Sequence, residues 1–450
     1  MEAMTYYFVG IGGIGMSAIA RYLKQMGNNV VGYDRTATPL TKELESEGMN
    51  IIYEDDVTHI EQANADLVIY TPAIGKDNKI LQYAVENALP LKKRSEALGV
   101  ITKSKKTIAV AGTHGKTTTS GLITHLLRSS KVGCSAFIGG VSNNYSTNCL
   151  IDAKSDYVVV EADEYDRSFL QLEPYISVVT SLAEDHLDIY GNIENLERSF
   201  SDFVLKTRNE GLVILNKDII SKFETSVQSY SYSISEEADF YASNIRVSKG
   251  KYYFDFHTPE KVIYDMQMSY PGLHNVENAV AALTVAFRLG VDEFELRSAL
   301  SSFQGMKRRF ELKAKTERTI YYDDYAHHPQ EIEATITSLR NLYPDKRICG
   351  VFQPHLYSRT RDFADWFAES LELLDDVILL PIYPAREEPI AGVSSKMLLH
   401  KIEKMDKYCV NKDQLMPLLG ALQPELLVTL GAGDIDKLVE PIAKMLMEDE

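Results

Sequence analysis

Apolar residues come in short runs that stop on glycine or on an acid, and each run is followed by a stretch with helical spacing. The runs at 6–9, 29–33 and 67–70 have strand length, and the stretches from 15 towards 26 and from 40 to 47 place apolar residues at helical intervals. That alternation predicts a doubly wound β-α-β layer over the first hundred residues. The polar stretch 103–106 then reads as a linker. The rhythm resumes with a strand at 107–111, a helix to about 127, and strands at 157–160, 176–180 and 211–215. Between 228 and 268, Tyr, Ser and Phe alternate in part, which predicts smaller antiparallel strands added to the sheet. An alanine-rich helix follows at 275–289. Beyond it, strands at 319–323, 347–352, 377–381 and 426–430 alternate with helices near 330–342, 361–374 and 394–404, and a last helix starts at 435. The prediction is three consecutive α/β domains, at 1–104, 105–310 and 311–450.

Bulk properties narrow the class. The chain has 450 residues, 45% hydrophobic and 25% charged, as in ordinary globular proteins. A net charge of −17 argues against a general nucleic-acid binder, which would carry a basic face. It leaves nucleotides open, because one loop and one lysine hold a phosphate in an acidic protein. No apolar stretch is long enough to span a membrane. Cys134, Cys149, Cys349 and Cys409 are scattered, which fits free thiols in a reducing cytoplasm.

Two glycine-rich loops carry the first chemistry. Gly10-Ile-Gly-Gly-Ile-Gly15 follows the first apolar run and fits the G-x-G-x-x-G fingerprint at Gly10, Gly12 and Gly15, with Gly13 and Ile14 between. Asp34 ends the next strand, where an acid meets a ribose hydroxyl, and Thr71 follows the strand at 67–70. This geometry serves any ribose diphosphate and does not identify the base. Gly112-Thr113-His114-Gly115-Lys116-Thr117-Thr118 follows the strand at 107–111. Its lysine would reach the β- and γ-phosphates and its Thr117 hydroxyl would meet Mg²⁺. The spacing departs from the usual Walker A pattern, whose first glycine would fall at Val110. The first domain is therefore Rossmann-like, the second is like the P-loop ATPases, and the third is again Rossmann-like.

Acidic and histidine clusters stand at further strand ends. Glu161-Ala-Asp-Glu164 follows the run at 157–160, and any of Glu161, Asp163 and Glu164 suits a Mg²⁺ ligand. His186 lies in Glu184-Asp-His-Leu-Asp188; histidine is an uncommon Mg²⁺ ligand but a good one for Mn²⁺, so a site containing it would accept either. Asp323-Asp324-Tyr-Ala-His327-His328-Pro329 has poor spacing for zinc and better suits a nucleotide or substrate contact. Arg308 and Arg309 would clamp phosphates or form a basic linker. In Phe352-Gln-Pro-His355-Leu-Tyr-Ser-Arg359, Arg359 or Arg361 would meet a carboxylate.

In this order, the motifs resemble the Mur ligases over essentially the whole chain. Gly10-Ile-Gly-Gly-Ile-Gly-Met-Ser17 and Asp323-Asp-Tyr-Ala-His-His-Pro329 are similar to the alanine-adding members. The second loop, Glu161-Ala-Asp-Glu164, Asp185-His186 and His274-Asn-Val-Glu-Asn278 recur across the family. The resemblance implies ATP-dependent joining of L-alanine to the lactyl carboxylate of UDP-N-acetylmuramate through an acyl phosphate. It implies that the first loop, with Asp34 and Thr71, binds the UDP-sugar. It makes Lys116 the phosphate-binding lysine, and Thr117, Glu161 and His186 the ligands of Mg²⁺, replaceable by Mn²⁺. It puts Asn275, Asn278, Arg309 and Asp324 on ATP, and His327, His355 and Arg359 near the amino acid. Lys116, His186, Arg309 and Asp324 would be the catalytic set. ATP would be held by the second and third domains, with closure of the third on ligand binding. A cytoplasmic enzyme, monomeric or weakly homodimeric and acting without nucleic acid or membrane, is implied as well. Some alanine-adding members carry arginine where this chain has Leu356, which leaves Arg359 as the carboxylate anchor. No lysine lies between His186 and Lys206, so the carbamylated lysine of several Mur ligases is not expected.

Three rivals are separable. A murein-recycling ligase attaches a tripeptide to the same UDP-sugar, but its glycine loop usually differs from Gly-Gly-Ile-Gly-Met. An NAD-dependent oxidoreductase leaves the second loop unexplained. A regulatory NTPase leaves the first loop idle.

Overall fold

The computed structural model describes residues 3–75, 77–184, 187–385 and 387–448. Its strands form three sheets. The first runs in the order Asn50–Ile52, Asn29–Tyr33, Thr5–Val9, Leu67–Tyr70, Leu91–Lys93, with all pairs parallel. Thr5–Val9 is central, so the loop at its carboxyl end opens where the strand order reverses. That is where open α/β sheets bind ligands.

The second sheet runs Val262–Met268, Lys251–His257, Phe240–Ser248, Gln228–Ser233, Leu212–Asn216, Ile176–Val179, Lys106–Ala111, Tyr157–Glu161, Ser135–Ser142, Thr147–Leu150. Lys106–Ala111 lies between Ile176–Val179 and Tyr157–Glu161, parallel to both. The second glycine loop therefore leaves the sheet between the ends of those two neighbours. The third sheet runs Glu311–Lys315, Ile320–Asp324, Leu426–Leu430, Ile348–Phe352, Asp376–Leu379, Lys407–Cys409. Its first strand is antiparallel to the second, and the other pairs are parallel.

Three expectations are corrected. The stretch 103–106 is not a linker: helix Arg94–Lys103 runs into it and strand Lys106–Ala111 starts at its end. Gln228–Ser233 pairs parallel with Leu212–Asn216, and Phe240–Ser248 pairs parallel with Gln228–Ser233, so these strands extend the parallel sheet. The helix expected at 361–374 is broken at Phe363 into Tyr357–Asp362 and Ala364–Leu371.

The chain divides into two compact units, one of 1–244, 254–266 and 277–303, the other of 245–253, 267–276 and 304–450. The first unit contains both glycine loops. One hydrophobic cluster explains why two sheets share a unit: it runs from Phe8, Met16 and Ile19 through Leu98 to Phe137, Cys149, Phe169 and Phe203. Burying each large side chain contributes about 1.5–3 kcal/mol, and this cluster draws on both sheets. In the second unit, Tyr321, Val351, Leu427 and Ile442 belong to a separate cluster. The four cysteines are free, and the first three are buried. No helix among the described residues is long and apolar enough to cross a membrane.

Burial sets a pH limit on the first unit. His125 lies on helix Lys116–Arg128, with one ring nitrogen on the Tyr145 hydroxyl at 2.9 Å and the other on Ser302 Oγ at 3.0 Å. Desolvation holds its pKa down to about 4. Below about 6.5 the unfolded chain takes up a proton there that the folded chain refuses, so stability falls as pH drops from about 6.5 to 4. The loss approaches roughly 3 kcal/mol, and nothing is lost above that window. Denaturant midpoints at pH 7.5 and 5 should diverge for the wild type and diverge less for His125→Gln. Parallel declines would contradict the assignment.

Candidate active site

The first loop is built on close approaches. Gly10 has φ +88, and a Cβ there would stand 2.7 Å from Thr71 Cγ2. A Cβ on Gly15 would stand 2.8 Å from Arg94 Nη1. The Gly10 and Ile11 N–H groups donate to Tyr33 O, at 2.8 and 3.0 Å. Gly13 caps helix Ile14–Gln25 without a side-chain bond, so first-turn N–H groups are available to an anion. The Asp34 carboxylate, expected to meet a ribose hydroxyl, accepts from Gly12 N at 2.8 Å and Thr36 N at 3.1 Å and so braces the loop.

A cleft of about 280 Å³ runs from this loop to the acidic end of strand Tyr157–Glu161. Ile14, Gly15, Thr71 and Arg94 line one part of it, and Gly139, Glu161 and Asp163 another. The three acids that the sequence left open here have different surroundings. Glu164 is fully buried on Lys116, and Asp163 pairs with Arg94 at 3.1 Å. Glu161 accepts from Gly139 N at 3.1 Å and lines the cleft.

The second loop is fixed from the neighbouring strand. Gly112 has φ +140, and a Cβ there would collide with Thr180 Oγ1. Gly115 has φ +81, and a Cβ there would stand 2.5 Å from Asn278 Oδ1. Thr180 Oγ1 donates to His114 O at 2.5 Å, Ser181 Oγ accepts from His114 N at 2.8 Å, and Thr113 Oγ1 lies 3.0 Å from Ser181 Oγ. Thr119 Oγ1 donates to Asn278 Oδ1 at 3.1 Å, so the asparagine braces the loop helix. Thr117 and Thr118, in the first turn of that helix, are buried.

Lys116 Nζ donates to Gly112 O at 2.5 Å and to the Glu164 carboxylate at 2.8 Å. Burial works against its ammonium, but the charges of Glu164, Asp163 and Glu161 outweigh that and raise its pKa. Burial in turn pushes Glu164 up to about 7, against the pull of Lys116. The lysine is thus a held cation beside the loop that would cradle phosphates.

Thr117 and Glu161 offer hard oxygen ligands, which fit Mg²⁺. His186 lies outside the described residues. Among those described, no group of three or more His, Cys, Asp or Glu forms a metal cage. A Mg²⁺ ion that keeps waters and binds through one carboxylate plus substrate phosphates needs none.

The second unit collects the remaining candidates. Asp324 is buried at the end of strand Ile320–Asp324, accepting from Thr335 Oγ1 at 2.8 Å and Ala326 N at 3.0 Å. Burial raises it to about 6, while Arg309 pulls it down. Arg308 is tied to Asp323 at 2.9 Å, and both arginines lie over the Tyr325 ring, Arg309 at 4.9 Å. Asn275 donates to Pro271 O at 2.7 Å. His327 and His355 come together with ring centroids 6.1 Å apart, and His355 stacks on Tyr383 at 5.8 Å. Leu356 has φ +69, outside the range usual for a branched side chain, and caps the short helix that carries Arg359. His328 is buried against Phe363 and Trp366.

Arg94 and the pair Thr180–Ser181 were missed from the sequence. Arg94 opens a helix inside an ordinary-looking polar stretch, and its place in the cleft comes from the tertiary contact with Asp163. Thr180 follows strand Ile176–Val179 with no motif around it. The only signal was its position at a strand end beside a phosphate loop.

Comparison with known proteins agrees with this layout. Three family models match in order: the Mur ligase family catalytic domain over 5–106, the Mur ligase middle domain over 110–286, and the Mur ligase glutamate ligase domain over 308–433. UDP-N-acetylmuramate–L-alanine ligase of Parabacteroides distasonis is 46% identical over 99% of this chain and 98% of its own. The same-named protein of Porphyromonas gingivalis is 47% identical, covering 98% of each chain. The crystal structure of the UDP-N-acetylmuramate–alanine ligase from Thermotoga maritima superposes with a TM-score of 0.85 at 27% identity, over 99% of this chain and 100% of that one. With its three α/β domains and its two glycine loops, this chain belongs to the Mur ligase family.

Proposed function

We propose that the protein joins L-alanine to the lactyl carboxylate of UDP-N-acetylmuramate, using ATP, in peptidoglycan precursor synthesis. The observation that carries this is the cleft from the first glycine loop to Glu161, close in sequence to Glu164, which holds Lys116 of the second loop. A nucleotide-sugar held at Gly10–Gly15, with Asp34 and Thr71 at its edges, has a path along the cleft towards the phosphate loop.

The chemistry follows from the substrates. A carboxylate is a poor acyl donor, so a lactyl oxygen attacks the γ-phosphorus of ATP and ADP leaves. The alanine amine then attacks the acyl carbon, phosphate leaves, and the amine gives up a proton. The protein's share is positioning and charge neutralisation. Residues 112–118, with Asn275, Asn278, Arg309 and Asp324, bind ATP in this reading. Lys116 holds the β- and γ-phosphates. Thr117, Glu161 and His186 would hold Mg²⁺, or Mn²⁺ in its place, which would neutralise phosphate charge. His327, His355 and Arg359 receive alanine, Arg359 taking its carboxylate. The enzyme acts in the cytoplasm, as a monomer or weak homodimer.

Free alanine is favoured over a tripeptide by the names of the relatives at 46–47% identity. Phosphate release with ATP and UDP-N-acetylmuramate should require L-alanine and be at least tenfold slower with the murein tripeptide at equal concentration. Preference for the tripeptide would overturn the choice of amine.

A further inference from the structure

Asn148 is fully buried on strand Thr147–Leu150, yet it serves no loop of its own domain. Its Nδ2 donates to Ile14 O at 2.6 Å and to Ser17 Oγ at 3.2 Å, both in the first turn after the first glycine loop. Its Oδ1 accepts from Arg21 Nη1 at 2.8 Å, one turn further along the same helix. Arg21 is only 5% exposed and is itself held by Glu47 at 2.8 Å and Glu43 at 3.0 Å. Every arm of this amide is therefore engaged, and all of its partners lie on the glycine-loop helix.

The strand on which Asn148 stands is coupled to Glu161. Phe137 pairs with Cys149 on one side and with Val160 on the other. Asn148 and Glu161 thus each stand one residue from the same cross-strand row. Gly139, on the strand between them, donates to Glu161. Tyr22, on the glycine-loop helix, packs against Phe137 with ring centroids 5.3 Å apart. Gly13, Ile14 and Gly15 of the glycine loop and Glu161 both line the cleft. Asn148 links the two through a desolvated, directional contact, which tolerates little slippage because a misplaced amide leaves buried groups without partners.

We propose that Asn148 is a positioning residue for the ligation, fixing the span between the first glycine loop and Glu161 so that the sugar's carboxylate arrives in register. This rests on the reading of the loop as the UDP-sugar site. A shift of about 1 Å at a reacting atom costs on the order of a hundredfold in rate. The helix start should therefore matter to one substrate and not to the others.

The test is steady-state kinetics of Asn148→Asp in the full-length protein, with each substrate varied in turn. Aspartate keeps the acceptor facing Arg21 and loses both donations to the first turn of the helix. The expected result is a KM for UDP-N-acetylmuramate raised about tenfold and a kcat lowered about tenfold, with the KM values for ATP and alanine within twofold of wild type. Unchanged constants, or an equal rise in all three KM values, would overturn the inference. If Asn148→Asp does not fold, Ser17→Ala trims the same arm without burying a charge. It should raise the UDP-N-acetylmuramate KM about threefold and leave that of ATP unchanged, and no selective rise would overturn the inference. A wild type that forms no alanine adduct would sink the ligase reading itself, whereas an active wild type with indifferent variants sinks only the role of Asn148.

Discussion

Lys116→Ala is expected to lower ligation about a thousandfold or more while the protein stays folded at neutral pH. The rate loss follows from removing the cation that, in the proposed reaction, would meet phosphates whose charge grows in the transition state; single groups of this kind contribute on the order of 10²–10⁵. Folding is spared for a reason visible at Glu164. That carboxyl is fully buried and already raised to about 7 with the ammonium beside it. Without the ammonium its pKa rises further, and it is carried as a neutral acid rather than as an unpaired buried charge. The sign then follows by linkage. A carboxyl raised in the folded state costs stability progressively as pH climbs from its unfolded value to its folded one. In the wild type that decline ends as pH rises through about 7, and in Lys116→Ala it continues to higher pH. Melting temperatures at pH 6.5 and 8.5 should therefore separate more for the variant, alongside the lost turnover. Near-normal turnover would contradict the role of the lysine.

Glu161→Gln should lower kcat by about a hundredfold to a thousandfold and shift the Mg²⁺ requirement to higher concentration. A glutamine oxygen still accepts from Gly139 N, so the local hydrogen bond persists while the negative charge goes. What is lost is a hard anionic ligand, which Mg²⁺ prefers to a neutral amide. Initial rates across a Mg²⁺ titration, at saturating ATP, UDP-N-acetylmuramate and alanine, report both effects. An unchanged Mg²⁺ dependence would move the metal contact to another acid, with Asp163 the next in the cleft.

The sequence was most legible where local chemistry and fold agree. Strands 29–33, 67–70 and 426–430 were placed to the residue, because buried parallel strands are mostly apolar, with few polar interruptions. Both glycine loops were legible for a related reason. Gly10, Gly112 and Gly115 occupy positive φ and lie against neighbouring side chains, so these positions require glycine. What failed was what depends on distant partners. The direction of Gln228–Ser233 is set by its neighbour in the sheet and not by its own alternation. The stretch 103–106 read as a linker because helix and strand meet there with only Ser104 and Lys105 between them. Among Glu161, Asp163 and Glu164 no local rule chooses, and what separates them physically is that Lys116 and Arg94 engage two of the three.

In the proposed reaction ATP activates the lactyl carboxylate before the amine attacks. UDP-N-acetylmuramate labelled with ¹⁸O in that carboxylate, incubated with ATP, Mg²⁺ and L-alanine, tests it in one measurement by mass spectrometry of both products. One ¹⁸O is expected in the released phosphate and the other in the new amide, in a product that carries one alanine residue more than the sugar nucleotide and one ¹⁸O fewer. Phosphate carrying only solvent oxygen, or release of AMP and pyrophosphate, would contradict it.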